Sequence, residues 1–502
     1  RRSAPALLGL IAAVIALLAG AAPAAAATAV PGPRAGDATP VVLIVLDELP
    51  TSSLLRPDGR IDANRFPAIA RLAAGSTWYR DNVAAGDFTA WAIPSIFTGK
   101  LSNERILPTA EAQPDNLFNL LGPGRRVHVK EDLTELCSRR ICLHGSQGGA
   151  EGETLADEFI KAKFGLVDMK AVKRWIKRIP AGRGTLSVLH LELPHQPHRF
   201  TPEGTRYRGG PLGFTQGGGV NGWTVPEPGI ALVQQRHLLQ LGYADRMVGK
   251  IVRKVRRNGD FDRAMIVLTA DHGFAFDVDK DRRDAAPDNL AGTVNPPLIV
   301  KYPGQSRGRV SAASTQSIDI LPTIAGQLGV ERLFPTDGMP IDRVPADRVM
   351  TVSKDSMATV TATAAEVRAQ RGRIVALQAA RLGTGGLWTL GPRPDLIGKR
   401  PGRAKAGGAT TRIDNPSRLQ RARPASGEAP ALVSAVLSGV APGATIAVSL
   451  NGRVRATTRA FRYSGAVRFG AMLPPARMRR GHNSVSVWLV RGGRLARVKR
   501  LS

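Results

Sequence analysis

Three short runs constrain this chain more than anything else in it: VVLIVL at 41–46, LSVLHLEL at 186–193 and AMIVLTA at 264–270. Each is brief and mainly apolar, the pattern of a strand covered on both faces. Helical patterns separate them. The clearest spans 230–257, where Ile230, Val233, Leu241, Ala244, Val248, Ile251 and Val255 fall at helical spacing. It stops at Asn258-Gly259, a normal C-terminal signal. Alternating strands and helices predict an α/β sandwich with a mostly parallel central sheet. PLIVKYPGQ from 297 predicts a further strand, and SIDILPTIAGQLGV from 317 a further helix.

The remainder divides by composition. Residues 1–37 begin with two Arg, continue as an apolar run and end in small residues with Pro and Gly. That pattern suits a secretory signal peptide. At roughly 20 apolar residues it also suits a membrane anchor. Both readings place the rest at the extracytoplasmic face of the cell membrane or in the secreted fraction. Residues 38–350 hold the strand–helix pattern, and 351–428 read as a helix followed by a Gly/Pro/Arg-rich linker. Residues 429–502 alternate apolar and polar, with turns at Asn451-Gly452 and Gly492-Gly493, which predicts a small β-sandwich. The only two cysteines, Cys137 and Cys142, sit in ELCSRRICL. A local disulfide fits an oxidising compartment, and no second pair supports a zinc ribbon.

Charge narrows the partners. Seventy Lys+Arg against forty Asp+Glu give a formal net charge of +30. Such an excess favours polyanions, whether anionic lipid or acidic envelope glycan, unless it is only a solvated, Arg-biased surface. Aromatics make up 5% of the chain and do not interleave with basic clusters, which argues against nucleic acid.

In an open parallel sheet, sites form beyond the carboxyl ends of the strands. Asp47 and Glu48 follow the first run, and Asp271 and His272 follow the third. His195 follows the second, with His190 inside it and His198 close behind. Taken singly, an Asp after a strand often caps a helix and a His there is often structural. Three strand ends acting alike favour a metal site, and mixed oxygen and nitrogen donors suit one divalent Zn or Mn, with Ca or Mg also compatible. A nucleophile is sought in DNVAAGDFTAWAIPSIFTGK at 81–100. Thr89 stands at a loop-to-helix turn, as either an N-cap or a metal-activated hydroxyl. Ser95, after Pro94, is the rival and has the look of helix initiation.

The order VVLIVLDELP, NVAAGDFTAWAIPSIFTG, LHLELPHQP, the 243–273 block ending in ADHG, and SIDILPTIAGQLG resembles the sulfatase-type branch of the alkaline phosphatase superfamily, over about residues 41–330. The resemblance implies an α/β/α fold and transfer or hydrolysis of phosphate or sulfate esters through a covalent intermediate. The Cys/Ser-x-Pro-Ser-Arg nucleophile of true sulfatases has no match, since Pro94-Ser95 precedes Ile96. TAWAIPSIF instead resembles the nucleophile segment of phosphoethanolamine transferases, and lipoteichoic acid synthases likewise use a Thr. By that likeness Asp47, Thr89, Asp271 and His272 hold the metal. His195 would meet the transferred group, and Glu48, His190 and His198 are possible additions. The run FAFDVDKDRRD after Gly273 lacks a later His, which favours one ion over two. Arg199 and residues 200–229 are expected to shape the substrate mouth. A non-catalytic envelope-binding protein that kept the fold and a secreted phosphodiesterase or phosphatase are the rival readings.

Overall fold

The computed structural model describes residues 38–102, 106–142, 167–208, 222–330, 333–402 and 406–501. The N-terminal signal or anchor segment lies outside them, as do 209–221 of the expected substrate mouth. Among the described residues no helix is long and apolar enough to cross a membrane.

The expected strands form at the heart of one sheet. They are β1 (Val41–Asp47), β4 (Thr185–Pro194) and β5 (Met265–Ala270), joined by β2 (Thr77–Tyr79), β3 (Arg126–Lys130), β6 (Leu298–Lys301) and β7 (Arg309–Ser311). The order is β3-β4-β1-β5-β6-β2-β7. Pairing is parallel except around β6, which runs antiparallel to both β5 and β2.

Side-chain alternation along β1 explains the layering. Val42, Ile44 and Leu46 enter one core, with Leu241, Val248 and Ile251 of the helix Glu227–Arg257. Val41, Leu43 and Val45 enter the other, with Ile93 and Phe97 of the helix Thr89–Thr98 and Leu321 of the helix Ile320–Gln327. A period of two on a strand with apolar residues at every position requires helices on both sides, hence α/β/α. A hairpin of β8 (Val349–Ser353) and β9 (Thr359–Thr363) precedes the helix Ala364–Leu382.

The C-terminal region departs from expectation in its extent. Eight strands, β10 (Ala406–Ile413), β11 (Leu432–Ser438), β12 (Thr445–Leu450), β13 (Arg453–Arg459), β14 (Phe461–Tyr463), β15 (Ala466–Met472), β16 (Val485–Arg491) and β17 (Arg494–Arg500), make a single sheet. Its order is β13-β12-β16-β17-β10-β11-β15-β14. β13 also packs against β15, so the sheet folds over one core that includes Ala435, Ile446, Val448 and Phe469. β10 lies inside the stretch expected as linker. Its Gly pair at 407–408 masks the alternation, and it fills the gap between β17 and β11.

This folded sheet is not a free appendage. Phe461 and Met472 share a core with Ile230 and Val233 of the long helix and with Phe274 and Phe276, just past Asp271-His272.

Candidate active site

β1 lies between β4 and β5, all parallel, so three carboxyl ends emerge side by side. Asp47 ends β1 opposite Pro194, and the Asp271 backbone N–H donates to the Leu46 carbonyl at 3.0 Å. The register therefore brings together residues more than two hundred positions apart.

Asp47, Asp271 and His272 each offer a ligand atom within 4.8 Å of one another, and all three are buried. Three donors orient the Asp271 carboxylate. Its Oδ1 accepts from the Glu48 and His272 backbone N–H groups at 3.1 and 2.6 Å, and its Oδ2 accepts from the Thr89 hydroxyl at 2.9 Å. His272 Nδ1 lies 2.8 Å from the Gly273 carbonyl. A carbonyl can only accept, so Nδ1 carries the proton and the Nε2 lone pair faces Thr89 Oγ1 at 3.4 Å.

Asp47 is the anomaly. Both of its carboxylate oxygens are buried without a hydrogen-bond partner among the described residues, as is Nε2 of His190, 3.8 Å from Asp47 Oδ2. Burial first, then the charges of Asp271 and Glu48, push its carboxyl well above the usual range. A buried carboxylate among other carboxylates either takes up a proton or pairs with a cation. The donor set fits a divalent ion, with Asp47, Asp271 and His272 as ligands and the Thr89 hydroxyl alongside.

Thr89 is the first residue of its helix, after an extended Phe88. Its hydroxyl bonds Asp271 rather than the helix backbone, so it is not an N-cap. Pro94 and Ser95 fall within that helix and not at its start, and Ser95 Oγ accepts from the Ser102 N–H at 3.2 Å, away from the site. Helix initiation at Pro94 is thus corrected: the whole helix is buried, and packing overrides a proline's preference for the first turn. Two glycines let the backbone close in. A Cβ on Gly86 would meet Trp91 Cβ at 2.6 Å, and one on Gly273 would meet the Gly292 carbonyl at 2.2 Å. Asp87 fixes the loop before Thr89 by accepting from the Ala285 and Asp355 N–H groups at 2.8 and 2.9 Å.

Glu48 has a positive φ of 56°, which turns its side chain back into the protein. It accepts from Arg283 Nε at 2.6 Å and, through Oε2, from the Gln196 N–H at 3.2 Å. Burial opposes its charge, but the Arg283 guanidinium, helped by the Gln196 N–H, outweighs burial and holds it at about 2. His195 Nε2 stands 3.0 Å from Arg283 Nη2. A guanidinium only donates, so Nε2 accepts and the imidazole is neutral. Burial, with Arg283 and His272, lowers His195 to about 4 against the pull of Glu48 and Asp271. In this arrangement His195 steadies a guanidinium. Arg283, not singled out from the sequence, is the cation at the mouth. Its only sequence signal was a basic pair inside the acidic run 277–284.

His190 reaches the site from mid-strand, between Asp47 and Glu131 Oε1 at 3.4 Å. Glu131 was likewise not anticipated. His198 is not brought to the Asp47 cluster. It packs edge-on against His237 with ring centroids 5.6 Å apart. Arg199 holds to the helix through its N–H on Gln240 Oε1 at 2.7 Å and lines a recess with His195. Cys137 and Cys142 form the expected disulfide, with Cα atoms 5.8 Å apart.

Residues 167–330 match the sulfatase family. A multifunctional alkaline phosphatase superfamily protein, PehA of Trinickia caryophylli, is 26% identical over 134 residues, 25% of this chain. The match spans about a quarter of that relative's length, 24%. Among solved structures, a phosphonate monoester hydrolase from Silicibacter pomeroyi aligns at 18% identity, covering 63% of this chain and 80% of that one, with a TM-score of 0.42. The lipoteichoic acid synthase LtaP from Listeria monocytogenes aligns at 13% identity, covering 69% and 92%, with a TM-score of 0.41. The matched segment 167–330 supplies His190, His195, Asp271 and His272 and leaves Asp47 and Thr89 to the chain before it, and its similarity to the sulfatase family and to an alkaline phosphatase superfamily protein agrees with the resemblance.

Proposed function

We propose that this chain is an extracytoplasmic, metal-dependent hydrolase or transferase of phosphate or sulfate esters, with phosphoryl esters preferred and Thr89 as the nucleophile. The observation that carries the reading is the Thr89 hydroxyl, 2.9 Å from Asp271 Oδ2 beside a buried carboxylate, Asp47, that accepts no hydrogen bond among the described residues. A divalent ion bound by Asp47, Asp271 and His272 would acidify a neighbouring hydroxyl and offset charge on the ester.

The protein's own groups supply the rest. Thr89 Oγ1 gives up its proton to Asp271 Oδ2, already its acceptor, and attacks phosphorus. The Oγ1–P bond forms as the ester P–O bond breaks, and the departing alkoxide takes a proton from water. The hydroxide so formed, or an acceptor hydroxyl that gives that hydroxide its proton, then attacks the phosphothreonine; Oγ1–P breaks, and Thr89 Oγ1 takes its proton back from Asp271. Arg283, held by Glu48 and His195, faces the charge on the non-bridging oxygens. Its side chain is 23% exposed and that of His195 15%, against essentially none for Asp47 and Asp271, so substrate approaches from that side.

The disulfide and the N-terminal 1–37 segment support an oxidising, extracytoplasmic setting, with anionic lipid or envelope glycan as substrate. Purified protein should contain a divalent metal and hydrolyse bis(p-nitrophenyl) phosphate. Thr89→Ala should lower turnover on the order of a thousandfold or more with an unchanged melting temperature. Undiminished turnover in that variant would place the nucleophile elsewhere.

A further inference from the structure

Between the two folded units lies a cavity of about 360 Å³ that the proposed chemistry does not use. Arg206 and Arg208 reach it from the catalytic side, and Arg418, Arg421 and Arg423 from the segment leading into β11. Among the described residues, no hydrogen bond or ion pair engages these five guanidinium groups. The lining has two carboxylates, Asp414 and Glu428, against the five arginines. Asp414 is already answered, since its Oδ2 accepts from Ser434 Oγ at 2.7 Å and pairs with Arg468 at 3.3 Å. The floor is closed by buried Leu419, Ala422 and Val433.

The position is fixed. The Arg206 N–H donates to the Gly427 carbonyl at 2.7 Å, and the Ala429 N–H donates to the Arg206 carbonyl at 2.9 Å. The same Arg206 also lines the small recess that holds His195 and Arg199. A basic track therefore leads from the mouth of the active site, through Arg199 and Arg206, into the arginine-lined cavity.

We infer that this cavity binds the anionic groups of an acidic glycan chain, repeated sulfate, phosphate or carboxylate, whose reacting ester lies at Thr89. The inference names the substrate class of the proposed enzyme and rests on that reading only for its kinetic arm. Guanidinium forks match such oxyanions bidentately. No aromatic side chain lines the cavity, so nucleic-acid bases have nothing to stack on. A flat bilayer surface does not enter a concavity.

The test uses the full chain, because a protein of net charge +30 binds any polyanion to some degree. A fluorescent heparin hexasaccharide is titrated into wild type, into Arg418→Ala/Arg421→Ala/Arg423→Ala, and into a control that removes three exposed cations elsewhere, Arg491→Ala/Arg494→Ala/Lys499→Ala. The cavity variant should weaken binding at least tenfold and flatten its salt dependence, while the control changes it less than threefold. Turnover of bis(p-nitrophenyl) phosphate should be the same in all three. Equal losses in both variants, or none in either, would overturn the inference, as would a dT12 oligonucleotide that binds as tightly and loses as much in the cavity variant. Absence of turnover in every protein counts against the esterase reading alone and leaves the binding comparison decisive.

Discussion

Asp47 shows how a single residue can be costly until its ligand arrives. Its oxygens accept no hydrogen bond among the described residues, His190 Nε2 stands off at 3.8 Å, and burial and neighbouring carboxylates disfavour its charge. Asp47→Asn should therefore act in opposite directions: metal retention is lost, yet the metal-free variant melts several degrees above metal-free wild type. A lower melting temperature for the variant in chelator would show that the carboxylate has a partner inside the protein. Arg283 makes the complementary case. Breaking a buried pair from one side costs about 3 kcal/mol or more, because Glu48 is left charged and buried. Arg283→Met should show that loss in urea unfolding, and Glu48→Leu added to it should restore much of it. Additive losses would mean the two do not act as a pair. Of these residues Asp47 and Glu48 were legible, because polar residues after an apolar run stand out. Arg283 was not, because an arginine in a charged loop has the same local pattern whether it faces water or a buried glutamate.

At the scale of elements, the long helix does more than cover the sheet. Its Asp245 is buried and accepts from the Ile69 and Ala68 N–H groups at 2.7 and 3.0 Å, capping the short helix Pro67–Ala73 from outside. Burial raises Asp245 to about 6 against those two donors. The folded form thus holds its proton more tightly than the unfolded chain, whose Asp titrates near about 4. Its contribution to stability is full below about 4 and declines as pH rises through about 6. Asp245→Asn should flatten stability across that interval, read as urea midpoints from pH 4 to 7. An unchanged slope would assign the dependence to other groups. Asp245→Ala, which removes the acceptor, should cost about 1 kcal/mol near pH 4, the usual loss for a missing cap, and less as the pH rises through the interval. The helix itself was plain from its period, whereas its capping role was not, since the two N–H groups it serves lie far away in the sequence.

For the whole molecule, the shared core of Phe461, Met472, Ile230, Phe274 and Phe276 couples the C-terminal sheet to the strand end that carries Asp271 and His272. The two units should unfold in one calorimetric transition. Phe461→Ala should lower stability by about 3 kcal/mol or more and separate the transition into two. A second transition in wild type would contradict that coupling. What the sequence determined alone was whatever depends on near neighbours: the buried strands, the long helix, the β-rich C-terminus, and the polar residues waiting at strand ends. Those features follow from the periods of two and 3.6 and from apolar runs that have to leave water. Only the tertiary structure decided the remainder: that β10 belongs to the sheet, that Ser95 sits inside a helix, that His198 turns away while His190 turns in, and that Arg283 closes on Glu48. Each depends on strand register and on which distant side chain completes a buried charge, and such long-range pairing leaves no periodic trace in the chain itself.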